Sequence, residues 1–227
     1  FKPEEKIIEY MLHNPEDNKL VSMTLTDFAD ETASESPAPG GGSIAAYIGS
    51  LGASLATMVA NLSSHKKGWD DRWEEFSAWA EKGQQYKDEL LRLVDQDTKA
   101  FNRIMEAFSL PKGTDDEKKI RKEAIQNATK MAIEIPFKVM QAAFASMEVI
   151  KAMAENGNHH PLSDPGVGAL CARCAVMGAF LNVRINAAGY DDKKFTAEIL
   201  EKGKEIEFKT INLEGEILKI VESKIEA

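Results

Sequence analysis

The chain has 227 residues, enough for one large domain or two small ones with a sizeable core. Lys and Arg total 28 against 37 Asp and Glu, and the resulting charge of −9 argues against a nucleic-acid partner, which needs a basic face. Two cysteines are too few for a disulfide framework and fit a reducing, cytoplasmic setting.

Residues 1–23 read as a lead-in: KIIEYML (6–12) is a short apolar stretch, and the polar run 13–18 with Pro15 is a loop. Charges throughout residues 1–20 exclude a signal peptide there, and a first residue Phe1 rather than Met marks a segment of a longer polypeptide. Residues 24–34 predict a first helix with Leu25, Phe28, Ala29 and Thr32 on one face. In the turn that follows, Pro39 stops what precedes it. Gly40, Gly41 and Gly42 leave the backbone free to take positive φ, either as a tight turn or to lie close to a ligand. Ser43 predicts the N-cap of the next helix, whose free N–H groups favour an anion. The pattern is neither a dinucleotide fingerprint nor a phosphate loop.

Residues 43–62 run for 20 positions without a charge. That length suits a membrane span, but Ala, Gly, Ser and Thr dominate it and interfacial aromatics are lacking on both sides, so a buried central helix is expected instead. Ala45, Gly49 and Ala53 make a ridge of small side chains that another backbone can approach closely. Lys66 and Lys67 follow, as a solvated helix exit or as an attractor of a multi-anionic substrate. Residues 73–108 carry a long helical stripe from Trp73 through Leu90, Leu93, Val94, Phe101 and Ile104 to Phe108. Pro111 and Gly113 end it. Thr114 with Glu117 is a capping box opening a helix to 154, and Pro136 inside it is expected to produce a kink. The 156–161 loop contains His159 and His160, which match no metal spacing. Asp164 as N-cap and Pro165 as first residue open a largely apolar helix to 188, and residues 196–225 form a last amphipathic helix. The class is all-α: an antiparallel bundle of about six main helices around a buried small-residue helix, spanning 24–227.

Three features break the apolar pattern. Asp97 lies at the centre of the stripe on the third main helix, with apolar residues at offsets −7, −4, −3, +4, +7 and +11. A carboxylate there either accepts a hydrogen bond from another helix's end or, with its pKa raised by lost solvation, serves as an acid/base near neutrality. Asn182 and Asn186, four apart on the apolar helix, bond to each other and the backbone or face a ligand. Cys171 and Cys174 lack the second pair or the spaced His of a zinc site and read as buried structural thiols, so no metal is expected.

The combination of PGGGS (39–43), VDQDTKAF (94–101), LPKGT (110–114) and NVRIN (182–186) resembles the formiminotetrahydrofolate cyclodeaminase family over nearly the whole chain from Thr24. FKPEEKIIEY (1–10) resembles the segment joining a formiminotransferase half to a cyclodeaminase half. The resemblance implies a dimerising helical bundle that closes 5-formiminotetrahydrofolate to 5,10-methenyltetrahydrofolate with release of ammonia, in histidine degradation and one-carbon metabolism. It makes Asp97, the second acid of Val-Asp-x-Asp, the catalytic residue. Pro39, Gly40, Gly41, Gly42, Ser43, Lys66, Lys67, Asp164, Asn182 and Asn186 are the candidate substrate contacts. No cofactor is expected beyond the tetrahydrofolate (poly)glutamate substrate. A methenyltetrahydrofolate cyclohydrolase and a non-catalytic folate-binding assembly module are the rival readings. Two nearly uncharged helices exceed what one bundle centre needs, so a homodimer is expected, with part of the apolar surface around the Ala45–Gly49–Ala53 ridge in its interface.

Overall fold

The structure, a computed structural model, describes residues 20–158 and 160–226, so the lead-in up to residue 19 and His159 lie outside the described residues. Those described form a short 3-10 turn, Leu20–Ser22, and six helices: α1 (Leu25–Ala33), α2 (Gly41–Ser64), α3 (Trp73–Ser109), α4 (Asp115–Asn156), α5 (Ser163–Ala188) and α6 (Lys193–Ile225). No strand occurs among them. The all-α expectation holds, and the helix boundaries fall within three residues of those read from periodicity.

Helices α2 to α5 make an up-down-up-down bundle in which each packs against the next and α5 closes back on α2. Directions follow from facing pairs: position 49 meets Leu90 of α3, Ala143 of α4 and Ala175 of α5, while position 42 meets Asp97 and position 45 meets Gly178. Helix α6 seals the α4/α5 side, burying Ile217 and Val221 beside Met147 and Ile150. Arg173 Nη1 of α5 donates to both carboxylate oxygens of the buried Glu214 of α6, at 3.0 and 3.1 Å. Lys224 Nζ donates to the last-turn carbonyls of Ala154 and Glu155, which α4 itself leaves unpaired.

The small-residue ridge is covered from within the chain. Ala45 and Ala53 are at most 3% exposed, and a Cβ at Gly49 would touch three neighbouring helices at once. This bears out the expectation of a buried, small-residue central helix. Seven of the exposed large apolar residues lie on the outer faces of the same two helices: Leu51, Met58 and Leu62 on α2, and Val167, Leu170, Leu181 and Ile185 on α5. By helical spacing both stripes flank the seam where α2 and α5 pack. Both helices are long and apolar enough to cross a membrane by length and composition alone.

Candidate active site

The N-terminus of α2 abuts the C-terminal half of α3, because the antiparallel register that puts position 49 opposite Leu90 puts position 42 opposite Asp97. A Cβ at Gly42 would overlap the Asp97 carboxylate, so only glycine lets the acid lie flat against this backbone. None of the three glycines makes a left-handed turn, Gly68 being the one glycine with positive φ among the described residues, and only at Gly42 is a side chain excluded. The Ala38–Pro39 peptide is cis and Pro39 is buried.

Ser43 is not the N-cap. The helix begins at Gly41 with Gly40 as cap, and no side chain of its own caps it. Ser43 instead lies in the first turn, fully buried, and its hydroxyl donates to Asp97 Oδ2 at 3.0 Å. Its single proton is thereby used, so at the 3.2 Å contact with Thr98 Oγ1 the threonine is the donor. Asp97 thus accepts hydrogen bonds from another helix's end, the structural reading of its position, and does so while largely buried. Burial raises its pKa above the ordinary carboxylate value, while the Ser43 hydroxyl and backbone N–H pull the other way without cancelling the effect. Asp95, two residues earlier, points elsewhere and accepts from the Leu20 N–H at 2.9 Å, pinning the start of the described chain to α3.

Asp97 lines a cavity of about 210 Å³ enclosed by the 37–43 segment, α3, α4 and α5. It is the only ionisable side chain in that lining; Phe101 and Ile104 of α3 supply an apolar wall. Asn182 and Asn186 also line it: Asn182 Nδ2, beside Gly41, donates to Gly178 O at 3.0 Å, and Asn186 Nδ2 donates to Ala132 O at 2.8 Å. The amides thus bond to backbone, not to each other, and each lines the cavity with its oxygen unengaged by any side chain. The structure brings together Gly40, Gly41, Gly42, Ser43, Asp97, Asn182 and Asn186.

It does not bring Lys66, Lys67 or Asp164 there. Helix α2 has 24 residues, about 36 Å of rise, and the lysines follow its far end, where Lys66 stacks over Trp69 at 3.9 Å. Asp164 belongs to the same end, since α5 runs antiparallel to α2 and position 52 already faces Gly168. Nor is Asp164 an N-cap: the helix starts at Ser163 after Leu162, and Asp164 sits within its first turn. Cys171 is half-buried and Cys174 exposed, so only the first is even partly the buried thiol expected. Thr98 and Ala132 are lining residues that periodicity missed; their signals were adjacency to Asp97 and position four before a helical proline.

The sequence pattern described as formiminotransferase-cyclodeaminase matches residues 24–205. A methenyltetrahydrofolate cyclohydrolase of Methylorubrum extorquens is 35% identical over 89% of this chain and 97% of its own length. A formimidoyltransferase-cyclodeaminase of Gallus gallus is 38% identical over 87% of this chain, which spans 37% of that longer protein. The crystal structure of formiminotetrahydrofolate cyclodeaminase from Thermotoga maritima superposes with a TM-score of 0.80 at 27% identity, covering 91% of this chain and all of that one.

Proposed function

The chain belongs to the formiminotransferase-cyclodeaminase family, and from that premise we propose that its Asp97 cavity closes 5-formiminotetrahydrofolate to 5,10-methenyltetrahydrofolate with loss of ammonia. The observation that carries this reading is one buried carboxyl of raised pKa, the sole ionisable group in an otherwise neutral cavity. N10 of the folate attacks the carbon of the protonated formimino group, and a C–N bond forms. Asp97 takes the N10 proton and delivers it to the amino nitrogen of the adduct. The C–NH₂ bond then breaks and ammonia leaves, with the methenyl cation as product. Such a proton shuttle is worth ~10²–10⁴-fold, and holding N10 against the formimino carbon supplies the approach geometry.

At about 210 Å³ the cavity is below the ~300–1,000 Å³ that encloses a whole drug-sized ligand. It suits the reacting end of the folate, with the glutamate tail outside. The reading calls for no cofactor beyond the folate, and for a cytoplasmic setting in which a formiminotransferase domain supplies the substrate. The apolar stripes of α2 and α5 fit a second copy of the chain across the seam between them, with more than ~1,000 Å² buried in total.

The match to a cyclohydrolase over nearly that protein's full length supports a second reading, addition of water to the methenyl carbon by the same carboxylate. The deciding experiment assays methenyl product from formiminotetrahydrofolate beside hydrolysis of methenyltetrahydrofolate. Turnover in the first supports the cyclodeaminase; turnover in the second alone assigns the cyclohydrolase.

A further inference from the structure

Pro136 lies buried inside α4, and the helix continues through it from Asp115 to Asn156. In an α-helix the N–H of residue 136 would bond the carbonyl of residue 132. Proline has no N–H, and its ring pushes that carbonyl outward. A carbonyl left this way inside a bundle needs another partner. Ala132 O finds it 54 residues along the chain, in Asn186 Nδ2 at 2.8 Å across the α4–α5 seam. Only the NH₂ of an amide can donate to a carbonyl, so this bond fixes which way Asn186 faces.

We propose that Pro136 is a positioning residue for ligand recognition: it frees the Ala132 carbonyl to hold the Asn186 amide with its oxygen toward the cavity, where that oxygen accepts an N–H of the bound molecule. Asn182, one turn earlier on α5, is held in the same sense by Gly178 O. The wall therefore offers two amide oxygens from neighbouring positions of α5 as acceptors, each amide having one N–H already spent on a backbone carbonyl. Its complement is a flat heterocycle whose edge carries a ring N–H and an exocyclic amine. An edge of bare acceptors is rejected, because it would leave both oxygens unpaired in a shielded site. That the heterocycle is the pterin of a folate rests on the function proposed above; the orienting role of Pro136 does not.

The test is Pro136→Ala in the whole chain, alone and combined with Asn186→Ala. The side-chain amide resonance of Asn186, assigned by its loss in Asn186→Ala, should exchange with solvent at least ~10-fold faster once an N–H at position 136 draws the Ala132 carbonyl back into α4. Calorimetric affinity for tetrahydrofolate should fall about tenfold, the worth of one hydrogen bond, while the melting temperature does not fall. In the Asn186→Ala background the proline exchange should cost no further affinity. An unchanged Asn186 resonance in Pro136→Ala overturns the proposal, as does an equal loss of affinity with and without Asn186. Absence of tetrahydrofolate binding by the native protein would instead refute the folate reading, and the amide-exchange arm would still decide the role of Pro136.

Discussion

Burial and the Ser43 hydrogen bonds act on the Asp97 proton in opposite directions, and removing either contribution has a readable sign. As the base of the proposed reaction Asp97 must be ionised, so kcat/KM should fall as pH drops through its raised pKa. Ser43→Ala removes a donor that favours the ionised form, and that fall should move to higher pH; superimposable pH–rate profiles would count against the assignment. Asp97→Asn should fold and bind folate yet lose at least ~10²-fold in turnover, as a steady-state assay would show. The stability effect runs the other way. A carboxyl harder to ionise in the fold than in the unfolded chain contributes its full stability below the unfolded pKa, near 3.8, and loses it as pH rises through the folded value. The melting temperature of Asp97→Asn minus that of the native protein should therefore grow as pH rises from the unfolded value through the folded one. Asp97 was legible in the sequence because its neighbours at helical offsets are apolar. Ser43 was misread, since a hydroxyl committed to a carboxylate 54 residues away leaves no local signal.

Among the elements, the six helices were legible because punctuation and periodicity agree: the Thr114–Glu117 capping box forms as its sequence predicts, and Pro111 and Gly113 separate α3 from α4. Which helices would neighbour each other was not, because a charge-free face says that it is buried but not by what. Position 49 is the clearest case. A ridge that the sequence offered to some unnamed close neighbour is filled by Leu90, Ala143 and Ala175 of three other helices, all within 3.5 Å of a Cβ placed there. Gly49→Leu would have to spread three helices at once and should destabilise by about 1–3 kcal/mol or abolish folding, seen as a lowered melting temperature. By contrast Gly215, with nothing within 4 Å of its would-be Cβ, should accept Ala and gain stability by up to ~1 kcal/mol from helix propensity.

For the molecule as a whole, the separation of Lys66 and Lys67 from Asp97 sets a condition on the basic pair. An antiparallel second copy seated on the α2/α5 stripes would bring its own lysines over this cavity, whereas within one chain they stay about 36 Å away. Replacing both by Ala should raise KM more for polyglutamylated than for monoglutamylated substrate, and the difference should vanish in a Leu62→Glu, Leu170→Glu variant that sediments as a monomer. Equal effects on both substrates would separate the pair from the tail. Helix α6 has a further consequence. Every residue lining the cavity precedes position 187, so the 33 residues of α6 line none of it and serve instead to cover the α4/α5 flank. At ~5–20 residues per second, the ribosome completes that helix roughly two to eight seconds after the last cavity residue. Until that helix docks, the α4/α5 flank, with Met147 and Ile150, is bare to chaperones and to other chains. Docking of α6 is thus the step that ends the exposure of a surface the finished protein never shows.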